Sequence, residues 1–173
     1  MQAIVIHPVT PDDLETLQTL SRETFYEAFA KDNNEADMQK YLEESFNSEK
    51  LTVDLNDPAS FFFIAWDNND PVGYLKLNTG DAQTELKDDD TSVEIERIYV
   101  KSAYQGKKIG QLLYDKAEEI GREQKRKYIW LAVWEHNLKA MAFYKKNGFE
   151  KFGEHIFKLG DDEQTDIMMR KEL

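Results

Sequence analysis

The chain has 173 residues, contains no cysteine, and carries 34 acidic against 22 basic side chains, for a net charge of -12 at pH 7. This length predicts one domain over residues 1–173, the lack of cysteine excludes disulfides and thiolate metal sites, and the acidic surface disfavours nucleic acid and anionic membranes as partners. No stretch resembles a signal peptide or approaches the roughly 20 apolar residues that cross a bilayer, so we expect a soluble cytoplasmic protein.

The first part of the chain combines one strand with several helices. Ala3–His7 alternates apolar and polar residues and predicts a strand. Thr10, followed by proline and acidic residues, is typical of a helix start, and the apolar spacing predicts a helix to about Ala30. A second helix is predicted over Glu35–Ser45, and Ser48 is expected to cap a short third helix.

A predicted hairpin follows these helices. Ser60–Trp66 is dense in aromatic and β-branched residues, which indicates a buried strand. The polar residues Asp67–Asp70 are typical of a turn, and Val72–Leu77 is expected to return as the partner strand. The polar stretch Gly80–Thr91 predicts a solvated loop.

The second half of the chain alternates strands and helices and ends in a hairpin. The predicted elements are the strand Val93–Val100, the helix Lys108–Gln124, the strand Tyr128–Val133, the helix Leu138–Asn147, and the hairpin strands Glu150–Lys158 and Thr165–Lys171. The whole order predicts a mixed α/β sheet of about seven strands with helices on both faces.

The turn after Val100 carries a candidate phosphate-binding motif. Gln105-Gly106-Lys107-Lys108-Ile109-Gly110 places a glycine-bearing turn at a helix start, where unpaired N–H groups and the helix dipole attract anions. It is not a nucleotide P-loop, because Gln111 and not lysine follows Gly110, and it lacks the three spaced glycines of a dinucleotide site. By itself it is equally compatible with an ordinary strand-to-helix turn.

A second motif lies on the last predicted helix. Asn137 and Tyr144 are seven residues apart, almost two helical turns, with the small Ala140 between them and Gly148 at the expected end of the helix. Taken singly, these residues have ordinary interpretations as a cap, a core aromatic and a helix stop. Their combination with the glycine-bearing turn is more informative than any one of them.

Together the two motifs resemble the GCN5-related N-acetyltransferase (GNAT) superfamily, whose pattern is Gln/Arg-x-x-Gly-x-Gly/Ala followed by Asn-x-x-Ala-x-x-x-Tyr-x-x-x-Gly-Phe. Lys108 stands where that pattern has its middle glycine. Further segments are similar to the bacterial spermidine/spermine N-acetyltransferases of the PaiA type. These segments are Phe61–Ile64, Glu94–Val100, Ile129–Glu135, Ala142–Lys146 and Asp162–Asp166.

The resemblance implies a GNAT-type, mostly antiparallel twisted sheet, acetyl-CoA as co-substrate and, by resemblance alone, a homodimer. It implies that Asn137 hydrogen-bonds pantetheine and that Tyr144 protonates the departing thiolate. The strand residues implied to pair with the pantetheine arm through their backbone are Ile98, Tyr99 and Val100. The residues implied to hold the pyrophosphate through their amides are Gln105, Gly106, Lys107, Lys108, Ile109, Gly110 and Gln111.

Acetyl transfer to nitrogen requires a neutral amine, whereas an alkylammonium has a pKa near ~10. Glu94 and Glu96 lie on the same predicted strand and are candidates to accept this proton through water. Strict alternation puts them on the same side of the pleat as Ile98 and Val100. Glu96 is preferred, and the alternative is that one or both glutamates only pair with Arg97 or a lysine.

The backbone of the same predicted strand is expected to take part in the acetyl transfer. An N–H near Val100 is expected to stabilise the oxyanion, and the lack of cysteine favours direct transfer in a ternary complex. Trp134 is a candidate to line the acceptor pocket. No metal is expected, because the three histidines His7, His136 and His155 have no ligand spacing.

Three hypotheses for the function stay open. The preferred one is an amine acetyltransferase acting on a small-molecule polyamine such as spermidine or spermine, which agrees with the acidic surface but is not selected by it. One alternative is acetylation of a protein N-terminus or lysine. The other is a non-catalytic acyl-CoA-binding regulator that keeps the loop without the chemistry.

Overall fold

A seven-stranded sheet forms the centre of the protein, and the computed structural model describes residues 3–173 of it. The strands are β1 (Val5–Pro8), β2 (Ser60–Asp67), β3 (Asp70–Thr79), β4 (Ser92–Val100), β5 (Tyr128–Trp134), β6 (Glu150–Leu159) and β7 (Asp162–Glu172). Their spatial order is β1-β2-β3-β4-β5-β7-β6, and only β4 and β5 run parallel to each other. The predicted mixed and mostly antiparallel α/β fold is confirmed.

In the described part of the chain, five α-helices cover the two faces of this sheet. They are α1 (Leu14–Phe29), α2 (Glu35–Ser45), α3 (Ser48–Asn56), α4 (Ile109–Glu123) and α5 (Leu138–Lys146). Helices α1 to α3 pack on one face, here called the α1–α3 face, whereas α4 and α5 pack on the other. Within residues 3–173, no helix is both long and apolar enough to cross a membrane.

Side-chain caps fix where the short helices begin. Asn34 caps α2 by accepting a hydrogen bond from the amide of Ala36 at 2.8 Å, and this helix has the bounds that the sequence predicts. The predicted cap of α3 is wrong by one residue. Asn47, not Ser48, accepts from the amide of Lys50 at 2.8 Å, and its amide side chain caps as well as a hydroxyl does.

The largest hydrophobic core lies between the sheet and α4 with α5. Helix α4 contributes Ile109, Leu113, Ala117 and Ile120, which recur at the spacing of one helical face and are all buried. Two smaller clusters lie under α1, α2 and α3 on the opposite face. The sheet is therefore covered by helices on both faces, and a ligand can reach its interior only where neighbouring strands separate.

Strand β4 contains a bulge at Glu96. Arg97 pairs with Lys76 of β3, whereas Ile95 pairs with Leu77, the next residue of that strand, so Glu96 is the extra residue between two pairs. A bulge of this kind bends its strand and interrupts the alternation of side chains. No glycine or proline marks it in the sequence.

The bulge corrects one prediction about the glutamates. Glu94 and Glu96 both contact Asn78 and face α1 to α3, whereas Ile98 and Val100 pack against the core of α4. The expectation that all four side chains share one side of the pleat is wrong, because the extra residue shifts the alternation by one position.

Strands β4 and β5 are paired only at their beginnings. The parallel ladder joins Ser92–Ile95 to Tyr128–Leu131, while β5 continues beside β7 as far as Trp134. Beyond Ile95, β4 keeps β3 on one side, and no strand of the described chain pairs with its other edge. The separation leaves a cleft whose wall is a row of backbone donors and acceptors.

The segment between β3 and β4 is anchored more firmly than the sequence suggests. Gln83 is fully buried, although the polar stretch around it predicts a solvated loop. Its side chain accepts from the indole N–H of Trp130 at 2.7 Å and from the hydroxyl of Ser92 at 2.9 Å. It also donates to the carbonyls of Leu86 and Asp89 at 2.9 and 3.0 Å, and one satisfied amide thus ties the loop to two strands.

Candidate active site

The turn between β4 and α4 presents an open backbone surface. Gly106 has a φ of +80° and Lys108 a φ of +64°, both in the left-handed region. A Cβ added at Gly106 or Gly110 would meet no atom within 4 Å, so internal packing does not require a glycine at either position. The missing side chains instead leave room for a ligand beside the backbone.

Backbone N–H groups at the start of α4 are free to bind that ligand. The first intrahelical bond joins the amide of Leu112 to the carbonyl of Lys108 at 3.2 Å, which leaves the amides of Ile109, Gly110 and Gln111 without a helical partner. They lie at the positive end of the helix dipole, where an anion is favoured. The amide of Gln105 is already occupied, because it donates to the carbonyl of Ser102 at 3.2 Å.

Two exposed lysines adjoin these amides. The ammonium group of Lys107 lies 4.4 Å from the centre of the Tyr104 ring, which orients the lysine beside the turn. Lys108 occupies the position of the middle glycine in the GNAT pattern, and its left-handed backbone is one that glycine adopts easily. The departure from the pattern therefore costs about 1–2 kcal/mol of backbone strain.

Strand β4 exposes alternate backbone groups toward the cleft. The amide of Lys101 donates to Val72 at 2.9 Å, which fixes which residues of β4 bond to β3. Because hydrogen-bonded and non-hydrogen-bonded pairs alternate in an antiparallel ladder, the N–H and C=O of Ile98 and Val100 point to the open edge, and those of Tyr99 point to β3. Two of the three predicted strand residues thus offer backbone groups to an extended ligand.

Helix α5 brings Asn137 and Tyr144 to the same region. The side-chain oxygen of Asn137 accepts from the amide of Ala140 at 3.2 Å, so this residue is a helix cap, and its amide nitrogen is left to donate. Tyr144 lies near the end of the helix with its ring packed against Phe143 and Phe149. Asn137 can therefore cap α5 with its side-chain oxygen and still donate a hydrogen bond to a ligand from its amide nitrogen.

The hydroxyl of Tyr144 is held in its protonated form. Burial raises the pKa of this hydroxyl, because the phenolate is poorly solvated beside the core of α4 and α5. Within residues 3–173 no hydrogen bond is formed by this hydroxyl, so its proton is free for another acceptor. A neutral phenol with an unused proton is suited to act as a general acid.

An amide pair that the sequence does not reveal joins the two helices. The side chain of Gln111 donates to that of Asn147 at 3.0 Å, and Asn147 donates back at 3.3 Å. The pair connects the start of α4 to the end of α5, the two elements that carry the free amides and Tyr144. The residues are 36 positions apart, so neither periodicity nor a motif could have indicated the contact.

Glu96 lies in a network of charges on the α1–α3 face. Its carboxylate accepts from the ammonium of Lys76 at 2.6 Å and from the amide of Asn78 at 2.7 Å, with the guanidinium of Arg97 at 3.8 Å. Burial by itself raises the pKa of Glu96, but the charges of Arg97 and Lys76 outweigh that effect and lower it. Glu96 is therefore ionised, and Lys76 is shared with Asp54 at 2.9 Å.

Glu94 has a different environment. It is almost fully buried and accepts hydrogen bonds from the backbone amide of Thr84 at 2.9 Å, from the hydroxyl of Thr84, and from Asn78 at 3.1 Å. Burial raises its pKa, with a smaller contribution from the charge of Glu96. These contacts tie Glu94 to the loop before β4, so of the two glutamates Glu96 is the more accessible.

Aromatic side chains cover the α1–α3 face next to the cleft. The ring of Tyr99 lies 6.0 Å from that of Tyr74 and 6.4 Å from that of Phe25. Trp134 ends β5 at the mouth of the cleft, with its ring edge-on to His136 at 5.2 Å. The role of Trp134 in an acceptor pocket stays a prediction. Among residues 3–173, no group of three or more His, Asp or Glu side chains is arranged to hold a metal ion.

Comparison with known proteins gives one family match. The model of the acetyltransferase (GNAT) family matches residues 15–149, which is most of the chain and includes β4, the turn and both helices that flank the cleft.

Individual relatives extend the similarity to the full length. An uncharacterized N-acetyltransferase of Lactobacillus delbrueckii subsp. lactis is 43% identical over 100% of this chain and 99% of its own. A spermidine N(1)-acetyltransferase of Thermoplasma acidophilum is 28% identical over 98% and 97% of the two chains. The crystal structure of the PaiA N-acetyltransferase from the same organism, in complex with coenzyme A, superposes with a TM-score of 0.81 at 26% identity, covering 99% of this chain and 100% of the other.

Proposed function

The chain belongs to the acetyltransferase (GNAT) family and is an acetyl-CoA-dependent N-acetyltransferase, and we propose that its acceptor is a polyamine such as spermidine. The observation that carries the proposal is the meeting of the free β4 edge with the free amides of α4, beside a carboxylate-bearing face. Support for the acceptor comes from the similarity to a spermidine N(1)-acetyltransferase over 98% of the chain, and from the net charge of -12.

In the proposed complex the cofactor lies along the cleft between β4 and β5. The amides of Ile109, Gly110 and Gln111 receive its diphosphate, and Lys107 and Lys108 add positive charge. The pantetheine arm pairs with the exposed backbone of Ile98 and Val100 as an added strand. The side-chain amide of Asn137 donates to the same arm from the other wall.

The chemistry assigned to these residues is a direct transfer. The acceptor ammonium loses one proton, through water, to the ionised carboxylate of Glu96, whose lowered pKa keeps it able to accept. The amine then forms the new C–N bond as the C–S bond breaks, and the N–H of Val100 donates to the oxyanion. The departing thiolate takes its proton from the hydroxyl of Tyr144, and the second proton that the nitrogen loses as the amide forms restores this hydroxyl through water.

Release of free thiol from acetyl-CoA tests the proposal. We expect the purified protein to release thiol with spermidine and to yield a monoacetylated product by mass spectrometry, and not to do so with basic peptides that have a free N-terminus. Selective turnover of peptides would refute the polyamine acceptor and favour protein acetylation. Binding of coenzyme A without turnover of any amine would favour a non-catalytic acyl-CoA-binding protein.

A further inference from the structure

Asp166 lies across β5 from the reactive edge of β4. In the sheet it pairs with Trp134 on one side and with His155 of β6 on the other. Its neighbour Ile167 is part of the core beneath α4 and α5, so alternation puts the Asp166 side chain on the opposite, α1–α3 face. That is the face that also carries Glu96.

The carboxylate of Asp166 is half-buried and has no strong cationic partner. Within residues 3–173, no lysine, arginine or histidine nitrogen lies within 4.0 Å of it. The nearest basic group, His155, has its Nε2 3.9 Å from Glu85 and its Nδ1 buried without a hydrogen-bond partner. Burial raises the pKa of Asp166, and His155 lowers it by less. A partly buried carboxylate that has no cationic partner is stabilised when a cation binds.

Tyr41 of α2 lies near both Asp166 and Glu96. Burial is the main reason that the pKa of Tyr41 is raised, and the charges of both Glu96 and Asp166 add to the effect. The ring of Tyr41 packs edge-on to Phe157 at 5.8 Å, next to the β6–β7 hairpin. Tyr41 and Phe157 add apolar surface near the two carboxylates, against which the alkyl chain of an alkylammonium can pack.

The spacing between the two carboxylates suits a molecule with two ammonium groups. Two strand spacings, about 10 Å, separate β4 from β7, and Asp166 lies about two residues further along the sheet than Glu96, so the two positions are roughly 12 Å apart. The terminal nitrogens of extended spermidine are nine bonds apart, which at about 1.2 Å per bond is roughly 11 Å. An amine that reacts beside β4 therefore places a second ammonium group near β7.

We propose that Asp166 binds the ammonium group of the acceptor that is not acetylated, and that this contact selects di- and polyamines over monoamines. The inference rests on the proposed function and names the residue that gives it specificity. Glu96 acts on the reacting nitrogen, whereas Asp166 binds the distant one. Loss of Asp166 should therefore change the KM for polyamines and not the chemical step.

Kinetics with paired substrates and paired variants test this assignment. The variant is Asp166→Asn, and the control is Glu172→Gln, which removes a charge from an exposed position six residues further along β7. With acetyl-CoA saturating, kcat and KM are measured for spermidine and for butylamine, which has a single nitrogen. We expect Asp166→Asn to raise the KM for spermidine about tenfold or more, with kcat and the KM for butylamine nearly unchanged. Glu172→Gln should leave all four values unchanged.

Three outcomes would overturn the inference. An unchanged KM for spermidine removes Asp166 from the site, and an equal loss with both amines places it at the reacting nitrogen.

If Asp166→Asn has lowered thermal stability or coenzyme A affinity, Asp166→Glu is used in its place. This variant keeps the charge and should keep the preference for spermidine. If the wild-type protein acetylates no polyamine, the proposed function fails, and calorimetric titration of spermidine into the coenzyme A complex decides about Asp166. Equal binding by wild type and Asp166→Asn refutes the contact.

Discussion

Replacing Gly110 by aspartate should affect protein stability and cofactor affinity in opposite directions. The position is the second residue of α4, its backbone is helical, and a Cβ there meets no atom within 4 Å. The first turn of α4 has no acidic residue, so a carboxylate there gains from the helix dipole by about 0.3–1 kcal/mol. Exchange of a helical glycine for aspartate, which is only a modest helix former, adds about 0.3 kcal/mol. We expect the free protein to be about 1 kcal/mol more stable.

The same carboxylate should repel the cofactor. Gly110→Asp places a negative charge beside the amides proposed to hold the diphosphate. At a separation of about 5 Å, each phosphate charge costs between about 1 kcal/mol in water and about 3 kcal/mol near a protein surface. We therefore expect coenzyme A to bind about a hundredfold more weakly, with part of the loss recovered at high salt.

The neutral variant Gly110→Asn separates charge from shape. It has nearly the same volume as aspartate, so steric obstruction alone should weaken both variants alike, whereas repulsion should weaken mainly Gly110→Asp. Isothermal titration with coenzyme A gives the affinities, and urea unfolding without ligand gives the stabilities. Wild-type affinity in Gly110→Asp would show that the diphosphate binds elsewhere, and the proposed cofactor site would then be refuted.

Three further predictions concern Tyr144 as the general acid and the loop that Gln83 anchors. Tyr144→Phe should lower kcat about a hundredfold or more, with coenzyme A affinity unchanged, and an unchanged rate would remove its role as the acid. Because burial raises the pKa of Tyr144, its acid form persists as pH rises, so the wild-type rate should show no loss from its ionisation up to about pH 10. Gln83→Leu should destabilise the protein by about 2–4 kcal/mol in urea unfolding, since it leaves Trp130 and Ser92 without partners, whereas Gln124→Leu at an exposed position should have little effect. Equal stability of these two variants would contradict the anchoring of the loop.

Local chemistry made most of the fold predictable. The spacing of apolar residues predicted the bounds of α2 at Glu35 and Ser45 and the start of α4 within one residue of Ile109. The strand positions followed from dense aromatic and β-branched stretches such as Ser60–Asp67. In each case, residues close in the sequence determine the conformation, so a local pattern is sufficient.

The parts that the sequence did not predict depend on contacts between distant residues. The bulge at Glu96 depends on how β4 pairs with β3. A pattern that assumes strict alternation cannot show that the pairing shifts by one residue. The burial of Gln83 depends on Trp130, 47 positions away. The amide pair of Gln111 and Asn147 likewise joins helices that only the folded sheet brings together. Polar composition predicted a loop around Gln83 but not its attachment to the sheet.

The bulge at Glu96 links the two halves of the proposed site. It lies immediately after the last parallel pair of β4 with β5, and a bulge bends its strand, so the separation of the two strands begins where the extra residue occurs. The same extra residue turns Glu96 and Arg97 to one face and Ile98 to the other. A regular strand would place Ile98 on the α1–α3 face. The opening proposed to receive the cofactor and the charged face proposed to receive the amine therefore meet at one irregularity in β4.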